Sequence, residues 1–572
     1  MIVMAGLLLK SGLGAAGFVF LLSSAAALAE DQSVILRGAR ILTMDDTKPE
    51  ASAIALVNGR IVAVGSDEDV APYMDGATVY DLPADGLVLP GFQDSHNHLI
   101  WSATEAEDVG LWEVVDREGV REAIEAANID ALPEGAWIRG AGWDIAAFPD
   151  ASAAILDEVT GDRPMFVGAV DGHSGWANSA ALKAAGIDAS TKDPEGGRIE
   201  RDAGGNATGL LRESAMELVS KLLPEYPHSQ VDAGFAKAQA EAMSYGITAI
   251  IDPSAEDWML DGYKRADAAG SLVLKVEAAV KIEAEEGAAG VARVLELKDR
   301  YASPRLAITS VKLFVDGVIE TGTAALLEAY VDSNGSGELL FTPEQINAIA
   351  VEGDKAGLQL HAHAIGDRAV RVALDAYEAA QNANGVRDSR HQITHLELID
   401  PADIPRFASL GVLPNIQALW AYPDTYITDL TEPKIGPRRS EWLYPFGALK
   451  KAGAKLVGSS DWSVSSMDPL QAIQIGVTRQ DIDDPAGRVL TPQHKLDLMD
   501  MLKAYTVNGA FSAFDEDQSG TLTVGKRADI VVLDRDITKG PATEIASGKV
   551  LATLIDGVAV YKAEGMPQPV KP

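Results

Sequence analysis

Leu87-Val88-Leu89-Pro90-Gly91-Phe92-Gln93-Asp94-Ser95-His96-Asn97-His98-Leu99 is an apolar, strand-like run that ends in two histidines spaced two apart. Alternate residues of a strand point the same way, so both imidazoles would face one cavity. Seven more strand-like runs follow, at 247–252, 272–280, 306–315, 358–364, 392–398, 412–417 and 455–460. Helical stretches such as 343–355, 368–381 and 469–478 separate most of them. Eight alternating units predict an α/β fold, a (β/α)8 TIM barrel over 87–510, with its chemistry at the C-terminal ends of the strands.

Residues 100–246 are too many for one strand-to-helix connection. They predict an inserted subdomain over about 105–229, mostly helical with some strands. Both ends of the chain are rich in strands. Asn58-Gly59 lies between two β-branched runs, and Asp556-Gly557 lies between two more, each a two-residue hairpin signal. One composite β-sandwich made from 30–86 and 511–572 is the expectation.

The first ten residues carry one positive charge, and an apolar run over 13–28 follows. It closes in Ala27-Leu28-Ala29 just before Glu30-Asp31. That is the pattern of a cleaved signal peptide over 1–29, and so of a periplasmic or secreted protein that leaves the membrane after cleavage. A net charge of −36 excludes a nucleic-acid partner, which needs a basic surface, and adsorption to anionic lipid. It reads as a solubilising acidic surface, with the steering of a cationic substrate as the minority reading. The absence of cysteine excludes disulfides, thiolate zinc sites and a cysteine nucleophile. Oligomeric state is not written in the chain; a homodimer is the default for a large soluble enzyme.

His363 and His395 end the fifth and sixth runs, Lys312 lies in the fourth, and Asp461 follows the eighth. With His96 and His98 they occupy late positions on barrel strands and would converge on one point. A free ammonium beside metal cations is repelled. Lys312 is therefore either carbamylated by carbon dioxide into an anionic bridge or paired with Asp316 or Glu320, and residue type leaves both open. In the insert, His173 and Trp176 with Asp171 and Asn178 nearby, and Trp143 beside its glycines, are substrate-contact candidates; core packing is the alternative for each. Trp420 and Trp462 would add an aromatic wall. His361 shares a face with His363 and reads as a substrate contact, a residue behind the ligands, or a core histidine.

The motifs Leu89-Pro90-Gly91-Phe92-Gln93-Asp94-Ser95-His96-Asn97-His98, His173-Ser174-Gly175-Trp176-Ala177-Asn178-Ser179, His363-Ala364-Ile365-Gly366-Asp367-Arg368-Ala369 and Gly525-Lys526-Arg527-Ala528-Asp529-Ile530-Val531 resemble the amidohydrolase superfamily. Within it the sequence is similar to the third amidohydrolase family, which includes N-substituted formamide deformylases. The resemblance spans nearly the whole mature chain and implies a barrel with a composite sandwich. It also implies a ligand set of His96, His98, Lys312 as a carbamylated bridge (a carboxylysine), His363, His395 and Asp461, holding one or two divalent ions, zinc foremost.

Such an ion would lower the pKa of a bound water from about 15.7 towards ~7 and polarise a carbonyl. Asp461 would take the water's proton and later give it to the leaving nitrogen. The expected activity is hydrolysis of an amide-type C–N bond in a small N-acyl, N-formyl or cyclic amide. A lactonase or esterase on the same scaffold is the rival. A non-catalytic periplasmic binding or regulatory protein is a more distant one. Deaminases of the superfamily typically lack the bridging lysine, so Lys312 weighs against deamination.

Overall fold

The computed structural model describes residues 33–570 apart from 113, 134, 195 and 334, so the expected signal peptide lies outside the described residues. Among the described residues no helix is long and apolar enough to cross a membrane.

Eight parallel strands stand side by side in chain order: Phe92–Asp94, Ile247–Ala255, Lys275–Lys281, Leu306–Phe314, Gln359–Ala364, Gln392–His395, Leu413–Ile416 and Val457–Gly458. The ring closes where Ser95 N donates to Gly458 O at 3.2 Å and Asp461 N donates to His96 O at 2.8 Å. Val311, Leu313, Leu360 and Ala362 pack into the main core, and the residues alternating with them, Lys312 and His361, turn into the lumen. The surrounding helices present apolar stripes to the strands. Pro343–Lys355 buries Ile346, Ile349 and Ala350, and a Thr342–Gln345 capping box starts it. Asp367–Asn384 buries Val370, Ala373, Leu374 and Tyr377.

The run over 87–99 divides between two sheets. Leu87–Pro90 pairs antiparallel with Ile530–Leu533 in the terminal sheet, and only Phe92–Asp94 enters the barrel. Gly91 is the joint: its N–H donates to Asp529 O at 2.9 Å, and a β-carbon there would lie 2.3 Å from the Thr248 side chain. The barrel's first strand therefore begins at Phe92, not at Leu87 as the sequence suggests.

The insert also differs from expectation. Its centre is a six-stranded sheet in the order Gly197–Arg201, Ala207–Glu213, Ser174–Ala177, Met165–Ala169, Ile138–Trp143, Val109–Gly110. Strands such as Ser174–Ala177 are buried at every position, so they show none of the two-residue alternation that marks a half-exposed strand.

Strands from both termini share one sheet. Val558–Lys562, Val550–Ile555, Ile530–Leu533, Leu87–Pro90, Ser33–Leu42, Glu50–Val57 and Arg60–Gly65 follow in that order, and Thr78–Asp81 pairs with Ser33–Leu42 off this path. Its two faces feed separate cores. Leu36, Ile54 and Leu56 join Ile530 and Val532, whereas Ile35, Ala53 and Ala55 join Val70 and Val79. Both predicted hairpin turns form, with positive φ at Asn58 and Gly59 and at Asp556 and Gly557.

The two turns also abut. A β-carbon on Gly59 would lie 2.9 Å from Asp556 O, and Gly59 O accepts from Ala528 N at 2.9 Å. Gly59→Ala should therefore cost roughly 1–3 kcal/mol through strain at a left-handed position. Thermal denaturation checks this, and an unchanged melting temperature would contradict the interlocked-turn account.

Candidate metal centre

His96 and His98 leave the end of the first barrel strand, and Asp461 leaves the end of the eighth. Asp94 sets the rim between them, accepting from Ser460 N at 2.9 Å, Asn97 Nδ2 at 2.9 Å and His96 N at 3.3 Å. His96 Nε2 then lies 3.3 Å from Asp461 Oδ1, and His98 Nε2 lies 3.2 Å from the same oxygen. Ligand atoms of all three fall within 4.8 Å of one another.

These residues fit a divalent ion. His96 Nε2 and Asp461 Oδ1 are buried and have no hydrogen-bond partner, although leaving such an atom unsatisfied costs about 1–3 kcal/mol. Bonds of about 2.0–2.1 Å in a tetrahedron place ligand atoms ~3.3 Å apart, which is the spacing seen. The donor set is nitrogen and carboxylate oxygen, which suits zinc and its neighbours.

The other predicted ligands surround this group. The His395 ring centroid lies 5.2 Å from that of His96 and 4.4 Å from that of His363. His395 Nδ1 meets Gln417 Oε1 at 3.1 Å, and the ring stacks on Trp420, so its orientation is fixed. His363 Nε2 donates to Gly317 O at 3.2 Å. Lys312 is fully buried, and its Nζ has no hydrogen-bond partner, lying 4.5 Å from the centroid of the Phe314 ring. Neither alternative partner takes it. Asp316 accepts from the N–H groups of Ala325, Ile365 and Gly366. Glu320 accepts from Thr431 Oγ1 at 2.8 Å.

Burial, then neighbouring positive charge, pushes the imidazoles of His96, His361, His363 and His395 well below their ordinary range. They are held neutral, the form that binds metal. Burial also lowers the Lys312 ammonium to about 7. Burial by itself would raise Asp461, but His98, His395 and Lys312 outweigh it and hold the carboxyl well below the usual range.

A cavity of about 440 Å³ opens above the ligands and reaches His363, His395 and Asp461. The insert supplies one wall through Asp144, Val170, Asp171 and His173. His173 is thus where the sequence placed it. Its Nδ1 lies 2.7 Å from Glu213 Oε2. Burial would depress His173, yet Glu213, Asp171 and Asp316 carry it up to about 9.

The other substrate-contact candidates sit elsewhere. Trp143 and Trp176 are 2% and 0% exposed in the core of the insert, with centroids 5.7 Å apart, and neither lines the cavity. Trp143 Nε1 is satisfied by Phe148 O at 3.0 Å. Large aromatic area drives both rings inward, and the Gly140–Gly142 spacing marks close sheet packing rather than a mobile loop. His361 is fully buried, its Nε2 2.8 Å from His96 Nδ1, and it does not line the cavity.

Glu320 as a wall residue, Glu397 and Asp424 are among the cavity residues that the sequence did not single out. Glu397 stands two residues beyond His395, where strand alternation would have flagged it. The chain leaves the strand there, however, with φ of 76° at His395 and 56° at Leu396. Burial first, and backbone hydrogen bonding against it, leave Asp424 raised to about 7.

Residues 79–561 match the sequence profile of the amidohydrolase family. The chain is 32% identical over 547 residues to Protein LONG AFTER FAR-RED 3 of Arabidopsis thaliana, covering 92% of this chain and 91% of that one. It is 27% identical over 553 residues to the N-substituted formamide deformylase of Arthrobacter pascens, covering 93% and 99%. Among solved structures, an uncharacterized metal-dependent hydrolase from Pyrococcus furiosus superposes with a TM-score of 0.69 at 27% identity, covering 89% of this chain and all of that one.

Purified protein should carry one or two divalent ions per chain, and a His96→Ala/His98→Ala variant should lose at least one. Elemental analysis decides it: equal metal in the two proteins would rule out the first-strand pair as ligands.

Proposed function

The chain belongs to the amidohydrolase family and is a metal-dependent hydrolase, and on that premise we propose that it cleaves an amide-type C–N bond in a small N-acyl, N-formyl or cyclic amide. The observation that carries this reading is the pair of imidazole nitrogens 3.2–3.3 Å from Asp461 Oδ1 beside a cavity large enough for a small organic molecule. The relative named for deformylation of N-substituted formamides supports the amide class by analogy.

His96, His98 and Asp461 would hold a divalent ion, with zinc the best match to the donors. Lys312, carbamylated, would extend the set towards His363 and His395; its deep burial and an Nζ without a hydrogen-bond partner support that chemistry. When bound, such an ion supplies Lewis acidity, easing loss of a proton from water and polarising the scissile carbonyl. Asp461 is held ionised, the form that accepts a proton. It takes one from the attacking water as the new C–O bond forms. It then returns that proton to the leaving nitrogen as the C–N bond breaks, because an amine leaves poorly as an anion. His361 and Gln417 keep the His96 and His395 rings in place throughout. The insert's wall limits access of bulk water to the reacting atoms. Export to the periplasm or exterior, with cleavage after Ala29, belongs to the same reading and rests on the N-terminal sequence.

Asp461→Asn should fold and retain much of its metal while losing roughly 10²–10⁴-fold in turnover. Lys312→Ala should lose both metal and rate, with partial recovery in short carboxylic acids that fill the gap. Rate and metal stoichiometry on one N-acyl substrate and its matched ester check both variants. Near-normal turnover by Asp461→Asn would overturn the proton-transfer role, and a strong preference for the ester would overturn the amide class.

A further inference from the structure

Besides Asp461, seven carboxylates line the cavity, and no described lysine or arginine does. His173, which lines the cavity along with His363 and His395, is already matched by Glu213. Three of the acids come from separate loops: Glu320 after the fourth barrel strand, Glu397 after the sixth and Asp424 after the seventh.

Their existing bonds do not neutralise them. Glu320 Oε1 accepts from Thr431, and Asp424 Oδ1 accepts from Ile427 N at 2.9 Å. Glu397 is 4% exposed, and its Oε2 has no hydrogen-bond partner although the residue lines the cavity. Among the described residues none of the three acids joins an ion pair. A buried carboxylate oxygen facing an organic-sized cavity with nothing to bind is costly unless a donor arrives from outside.

The remaining walls are aromatic. Trp420, Tyr422, Tyr426 and Tyr444 line the same space, and Tyr426 Oη is already committed to Asp144 Oδ1 at 2.7 Å. Aromatic faces and carboxylates together are the surroundings that bind organic cations, through the ring quadrupole and charge-assisted hydrogen bonds. A hydrated metal ion needs neither rings nor a cavity of about 440 Å³.

We propose, building on the amide-hydrolase reading above, that Glu320, Glu397 and Asp424 with their aromatic walls form a chamber for an ammonium or guanidinium group carried by the substrate away from its scissile carbonyl. The chemical class of substrate is then an N-acylated or N-formylated compound with a cationic end. The chain's net charge of −36 would draw such a molecule towards the barrel mouth.

The test is calorimetry on the metal-loaded enzyme with benzylguanidinium and its neutral isostere benzylurea. Guanidinium does not lose its proton near neutral pH, so it does not bind as a metal-ligating amine. The cation should bind at least tenfold more tightly. Asp424→Asn, Glu320→Gln and Glu397→Gln should each shrink that preference while leaving benzylurea affinity in place. Because Glu397 lies two residues from His395, the Asp424 and Glu320 variants carry the result if Glu397→Gln loses metal. Equal affinity for the two probes would overturn the proposal. So would a preference that survives all three substitutions, or displacement of benzylguanidinium by millimolar calcium.

Turnover separates this proposal from the reading beneath it. If N-acyl amides with guanidinium and urea ends are cut with equal kcat/KM, the cationic chamber fails and amide hydrolysis stands. If neither is cut while the binding preference holds, the chamber stands and the amide reading fails.

Discussion

The backbone hydrogen bond from Asp461 N to His96 O at 2.8 Å, flanked by those from Ser95 N to Gly458 O and from His98 N to Trp462 O, ties the last barrel strand to the first. Because the two residues share that bond, their side chains leave the rim side by side, and His96 Nε2 and Asp461 Oδ1 face each other. Asp94 reinforces the joint by accepting from Ser460, the residue before Asp461, and from Asn97, the residue after His96. Asp461 holds this place at a φ of 56°, a left-handed conformation that persists only where its surroundings over-determine it. Barrel closure and the spacing of the three candidate ligands are thus one constraint. A slip in the pairing of the first and eighth strands would separate the ligands.

From that rim the electrostatics divide by depth. At the bottom, burial keeps four imidazoles neutral and lowers the Lys312 ammonium, while His98 leads the neighbours that hold Asp461 ionised. Farther out, the insert and the loops after the fourth, sixth and seventh strands add acids and aromatic rings. The insert can do this because its six-stranded sheet has apolar clusters of its own, packed around Trp143 and Trp176. Those rings are buried in the insert's own core, and His173, just before the interior strand Ser174–Ala177, reaches the cavity. Scaffold and site therefore come from neighbouring residues of one short motif, 173–179.

The barrel was legible because its strands punctuate the sequence, and each of the eight runs overlaps an observed strand. The terminal sheet was legible through Asn58-Gly59 and Asp556-Gly557, whose positive φ values are a local property of the dipeptides. What escaped was non-local. Nothing within 87–99 reveals that Leu87–Pro90 pairs with Ile530–Leu533, more than four hundred residues away. The insert read as mostly helical because strands such as Ser174–Ala177, buried at every position, lack alternation. Among site residues, the metal-ligand candidates stood out through strand-end histidines. Trp143 and Trp176 misled because an aromatic beside glycine or histidine looks the same in a core and at a mouth. Glu320, Glu397 and Asp424 lie in loops where no period says which way a side chain points.

The central claim is that His96, His98 and Asp461 jointly hold a catalytic cation at the joint of the first and eighth strands. Anomalous diffraction from crystals of the zinc-loaded protein tests it most directly. The account predicts a peak within bonding distance of His96 Nε2, His98 Nε2 and an Asp461 carboxylate oxygen, about 2.0–2.2 Å from each. Zinc bound only among the outer carboxylates, with those three side chains bare, would contradict it.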